Sequence, residues 1–151
     1  MSKPPMSREQ IQERMLQSNF NVFLGLKVIS ADPEKQEVVM RLKKRLEFER
    51  RGGQWHGGPI AGVIDTVGDY ALAMMTGRPL PTINLRVDYL RPADSASLTV
   101  VARVRRSGKT VAVVDVEVSS DDSGVLVAIG RLNYSTAAPR MEEQYSLIPD
   151  S

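Results

Sequence analysis

One stretch limits what this chain can fold into more than any other: QWHGGPIAGVIDTVGDYALAMM, residues 54–75. Ile60, Ala61, Val63, Ile64, Val67, Ala71, Leu72 and Met74 wrap most of the circumference of a helix over this span. A helix that is apolar nearly all round must be buried. Pro59 suits a first helical position, and TGRPLPT, residues 76–82, stops the helix near Met75. The rest of the chain has to supply the cover.

That cover reads as strands. Val38, Met40 and Leu42 alternate with Glu37, Arg41 and Lys43, and a strand before them spans roughly 24–31. Ile83, Leu85, Val87 and Tyr89 alternate with Asn84, Arg86 and Asp88. Two further alternating runs, 98–105 and 112–118, precede a more apolar strand at 125–134. Turn sequences RPADSA, RSGKT and SSDDSG separate them, and such short connections imply antiparallel neighbours. Ser7 with Gln10 fits a capping box, so residues 7–18 read as a short amphipathic helix. The organisation expected is α+β, with an antiparallel sheet of about five to six strands around one long central helix. The N-terminal helical segment spans 1–18, the main domain 19–136 and a loosely held tail 137–151.

Composition removes whole classes of function. The chain has 151 residues, no cysteine and one histidine, so thiolate nucleophiles, disulfides and multi-histidine metal sites are excluded. No acidic cluster has calcium-loop spacing, and neither a metal nor a cofactor is expected. A net charge of +2 is too small an imbalance for a nucleic-acid binder. The N-terminus lacks the apolar core of a signal peptide and no apolar run reaches bilayer length, so a cytoplasmic protein without membrane contact is expected. RRSGKT ends like a phosphate-binding loop, but Arg103 stands where the loop's first glycine belongs and a strand follows. No G-x-S-x-G occurs, and no serine is marked to complete a triad with His56. The basic run Arg41, Lys43, Lys44, Arg45, Arg50 reads first as a solvated strand end and loop, with contact to an anionic cofactor's phosphates as the alternative.

The carboxylates in the buried helix point to chemistry. Asp65 and Asp69 lie four residues apart and share a face. A carboxylate there must be paired, lie in a cleft or titrate upward. Upstream, His56, Gly57 and Gly58 form a helix start whose bare N–H groups and dipole suit an oxyanion or phosphate. A carbonyl held there would be polarised, and Asp65 could attack it or activate a water. Gly57 and Asp65 are eight residues apart, about 12 Å along one helix. A reacting carbonyl needs both within about 3 Å. Two antiparallel copies satisfy this and one does not, so the chemistry predicts a two-fold dimer with two equivalent interfacial sites.

HGGPIAGVIDTVGDYA, TINLRVDYLRPA and RRSGKTVAVVDVEVSSDDSGVLVAIGRLNY together resemble the hotdog-fold acyl-CoA thioesterases of the phenylacetate-pathway, PaaI-like, family. The resemblance spans most of residues 20–135 and implies a sheet wrapped around the central helix, a double-hotdog dimer and often a dimer of dimers. It implies hydrolysis of an acyl- or aryl-acyl-CoA, with coenzyme A as part of the substrate rather than a cofactor. Asp65 would be nucleophile or general base, Gly57 N–H would polarise the carbonyl and His56 would support the geometry. Thr82 stands where relatives often carry a Ser or Thr near the carboxylate. Gly58, Arg91 and Lys109 are candidates for CoA contacts, and Asp69 joins the substrate-side candidates with its role open. Arg50 replaces an asparagine common in the family, and Trp55 either fills the dimer core or shapes the acyl pocket. Two other readings belong beside this one: a non-catalytic acyl-CoA sensor, and a hotdog dehydratase using His56 with Asp65 as acid and base.

Overall fold

The computed structural model describes residues 4–137. Ser7 caps α1 (Arg8–Met15) through the expected box: its hydroxyl accepts from Gln10 N–H at 3.2 Å, and Gln10 Oε1 accepts from Ser7 N–H at 2.8 Å. The helix stops earlier than expected, and a second helix, α2 (Asn19–Leu24), follows. The strand expected at 24–31 begins only at Lys27. Gly25 instead closes the helix in the left-handed region at φ 67°, a conformation that costs glycine little.

Strands β1 (Lys27–Asp32) and β2 (Glu37–Lys43) form the first hairpin. A single 3-10 turn (Leu46–Phe48) leads into the long helix α3 (Gly57–Thr76). Pro59 is its third residue rather than its first. The position is still tolerated, because N–H groups of a first turn have no intrahelical acceptor to lose. Gly77, at φ 73°, ends the helix. The remaining strands are β3 (Thr82–Tyr89), β4 (Ser97–Ser107), β5 (Val111–Ser120) and β6 (Leu126–Ser135).

All six strands join one antiparallel sheet in the order β1-β2-β4-β5-β6-β3. Helix α3 packs against β2, β3, β4, β5 and β6, so the sheet curls round it. This is the hotdog arrangement. The inward residues of β4 and β5, such as Val100, Val114 and Val118, are fully buried against Val63, Ile64 and Val67 of the helix in one continuous core. On the outer face, aligned residues of neighbouring strands form ion pairs: Arg131 with Asp115 at 2.6 Å and Arg103 with Glu37 at 2.6 Å. The tail expected at 137–151 falls outside the described residues except for Ala137. Among the described residues no helix is long and apolar enough to cross a membrane.

Candidate active site

The helix start is built by contacts from three directions. His56 is the cap residue, and its Nδ1 accepts from Gly58 N–H at 2.9 Å. Its own N–H donates to the Phe48 carbonyl at 2.8 Å, which ties the cap to the 3-10 turn. Gly57 occupies the first helical position, where its N–H lacks an intrahelical acceptor. The Tyr89 hydroxyl donates to the Gly57 carbonyl at 2.7 Å. The ring of Tyr89 lies so near that a Cβ at position 57 would sit 3.1 Å from it. The missing side chain permits this close approach, and the Gly57 N–H at the helix N-terminus is placed to meet an electron-rich atom.

Asp65 sits two turns along, half-buried, where the helix faces β3. Its Oδ1 accepts from Thr82 Oγ1 at 2.7 Å, and its backbone carbonyl accepts from the buried Tyr134 hydroxyl at 2.8 Å. Thr82 reaches this position through a backbone irregularity. Thr82 pairs with Tyr134 and Asn84 with Asn133, so Ile83 is an extra residue in β3. Strict alternation would place Thr82 with Asn84 and Arg86 on the outer face. The bulge resets the alternation and turns Thr82 to the helix side, together with Leu85, Val87 and Tyr89.

One turn further, Asp69 Oδ1 accepts from Leu80 N–H at 2.7 Å. Burial pushes the Asp69 carboxyl up to about 7, against the opposing pull of the Leu80 hydrogen bond. The charge of Asp65 adds to the rise and that of Arg14 opposes it. Arg14 itself donates to the Gly77 carbonyl at 2.6 Å, so α1 packs over the C-terminal end of α3.

The chain thus brings Asp65, Asp69 and Thr82 together, and groups His56, Gly57 and Gly58 at the other end of the same face. Other candidates lie elsewhere. Trp55 is 4% exposed, stacks on Phe48 and donates its indole N–H to the Ser95 carbonyl at 2.8 Å, so it is packed in its own chain's core. Arg91 donates to the Leu126 carbonyl at 2.7 Å, while Lys109 is exposed on the β4–β5 hairpin and Arg50 on the loop before α3. Within the basic run, Lys44 pairs with Asp94 at 3.2 Å and Arg45 lies over the rings of Phe23 and Phe48. Tyr89, Tyr134 and the Leu80 N–H were not singled out in the sequence. Both tyrosines sit at ordinary inward strand positions, and only their hydroxyl partners set them apart. Among the described residues no three histidine or acidic side chains are placed to hold a metal ion.

Chemically, the arrangement offers a carboxylate steadied on one oxygen by a hydroxyl donor, and an open helix N-terminus that can polarise a carbonyl. Residues 52–127 match the thioesterase superfamily. Human acyl-coenzyme A thioesterase 13 is 31% identical over 127 residues, which cover 82% of this chain and 89% of that protein. The crystal structure of zebra fish thioesterase superfamily member 2 superposes with a TM-score of 0.79 at 25% identity, covering 87% of this chain and 99% of that one. The PaaI protein from the phenylacetic acid degradation operon of E. coli shares the fold, with a TM-score of 0.76 at 24% identity over 88% of this chain and 95% of its own.

Proposed function

This chain belongs to the hotdog-fold, PaaI-like thioesterase superfamily and is a thioester hydrolase, and from that premise we propose that its substrate is an acyl- or aryl-acyl-CoA cleaved between two subunits. Asp65 acts as nucleophile or general base on the thioester carbonyl, and the Gly57 N–H of a second chain polarises that carbonyl. As general base, Asp65 takes a proton from water while the water oxygen bonds to the carbonyl carbon. The C–S bond then breaks, and the CoA sulfur leaves with that proton, giving free acid and CoA.

The observation that carries the reading is how β3 spans the two halves of the site. Its first residue holds Asp65 through Thr82, and its last holds Gly57 through Tyr89. Among the described residues β3 has no neighbour on its far side, and apolar side chains stand on this sheet edge: Ile83 is 53% and Leu85 40% exposed. An exposed apolar edge of this kind is a template for pairing. If two copies pair edge to edge about a two-fold axis through the middle of β3, Thr82 of one chain comes opposite Tyr89 of the other, with the strand backbones about 5 Å apart, and the Asp65 end of one α3 faces the Gly57 end of the other. Each pair of chains then holds two complete sites.

The test is a panel of acyl-CoA thioesters with release of free thiol as the signal. Wild-type protein hydrolyses at least one member, and Asp65→Ala lowers kcat by about 10²–10⁴-fold. Absence of turnover across the panel, or an unchanged rate in the variant, refutes the proposal. In single-turnover hydrolysis in isotope-labelled water, label in the Asp65 carboxylate identifies a mixed anhydride opened at the Asp65 carbon and hence a nucleophile, whereas a general base leaves the label in the product acid alone.

A further inference from the structure

We propose that Asp69 is a positioning residue: by accepting the Leu80 N–H it sets the height at which β3 meets α3, and so places Thr82 on Asp65. This rests on the reading of Asp65 and Thr82 as the reacting pair.

The geometry is a two-rung ladder. Asp65 and Asp69 are four residues apart on the helix, a rise of about 6 Å. Thr82 and Leu80 are two residues apart, a span the chain can reach at up to about 7 Å. The rungs Asp65–Thr82 and Asp69–Leu80, both 2.7 Å, therefore match in spacing, with helix and segment running in opposite directions. The segment between them is stiff. Pro79 and Pro81 flank Leu80 with fixed φ, and the Leu80 side chain is buried. A shift of the Leu80 rung is passed to Thr82 rather than absorbed.

Thr82 needs such a guide because the next residue, Ile83, is the bulge, where the strand ladder does not define the backbone. An asparagine at position 69 would accept the same bond without a buried charge. An ionised carboxylate makes the bond charge-assisted and about twice as strong, at the expense of desolvation. The charged and titratable groups acting on Asp69 are Asp65 on its own helix, Arg14 from α1, and the hydroxyls of Tyr70 and Tyr134.

The experiment is a double-mutant cycle on kcat with Asp69→Ala, Thr82→Ala and the pair, alongside Asp69→Asn and Asp65→Ala. Expected results are a drop of about tenfold in kcat for Asp69→Ala with KM changed less than about twofold, and no further drop when Asp69→Ala is added to Thr82→Ala. The same tenfold loss in both backgrounds, or a loss confined to KM, overturns the proposal. Asp69→Asn keeps an acceptor oxygen, so it recovers most of the kcat lost in Asp69→Ala. The remaining, charge-dependent part of kcat is expected to rise in wild type through pH about 7 as Asp69 ionises, and Asp69→Asn is expected to lack that rise. A rise that persists in Asp69→Asn counts against the proposal, and this arm stands even if the alanine variant does not fold. Retained turnover in Asp65→Ala would sink the active-site reading as a whole. An inactive Asp65→Ala with Asp69 and Thr82 acting independently sinks only the role of Asp69.

Discussion

Gly57 and Tyr89 illustrate how single residues prepare this site. The tyrosine hydroxyl holds the Gly57 carbonyl, and the absence of a side chain on Gly57 is what allows the ring so close. We predict that Tyr89→Phe lowers kcat severalfold with little change in Tm, since the bond lies at the surface and a neutral hydrogen bond contributes only about 1 kcal/mol. A steady-state assay beside a melting curve checks it. Asp69 affects stability in a way that depends on pH. Its folded pKa is raised from 3.8 to about 7, so the folded chain holds that proton more tightly than the unfolded chain does. Stability from this group therefore falls as pH rises from about 4 to about 7, and the full cost of the buried charge is present above that. Asp69→Asn should raise Tm at pH about 8, with the gain shrinking towards pH about 5. An equal gain at both pH values would contradict the assignment.

At the scale of elements, α3 and β6 fit by subtraction. A Cβ on Gly68 would collide with the Tyr134 hydroxyl, and one on Gly130 with Ile64. These two glycines let the helix settle onto the strand, and they bring the Tyr134 hydroxyl to the Asp65 carbonyl at 2.8 Å. Gly68→Ala is expected to cost about 1–3 kcal/mol through overpacking. The cost should be smaller in a Tyr134→Phe background, because the colliding atom is gone. Chemical denaturation of the four proteins of the cycle measures this, and an unchanged cost would place the strain elsewhere. Much at this scale was legible beforehand. Helical wrapping of apolar residues over 59–75 and the period of two in β2, β4 and β5 are local patterns, and the turns between strands carry their own residue types. Helix α2 was not legible, because two asparagines, two phenylalanines and a valine among its six residues have no propensity that favours a helix.

For the whole molecule, the edge of β3 is the feature with consequences. Leu85→Asp puts a charge on that edge, and we predict that it shifts the protein to monomers in analytical ultracentrifugation and abolishes hydrolysis while circular dichroism stays the same. Active monomers would refute the shared site. By itself the sequence determined the buried helix, the antiparallel strands, the absence of thiol chemistry, and the presence of a carboxylate and a glycine-rich helix start on one segment. These follow from periodicity and residue type, which are properties of neighbours along the chain. Only the tertiary structure decided that Thr82 faces inward, that Asp69 grips Leu80 and that Tyr89 covers Gly57. Each depends on the register between segments separated by 11 to 52 positions in sequence. One extra residue at Ile83 reverses the side on which a strand residue lies, and nothing in a local alternation of polar and apolar residues records where that extra residue falls.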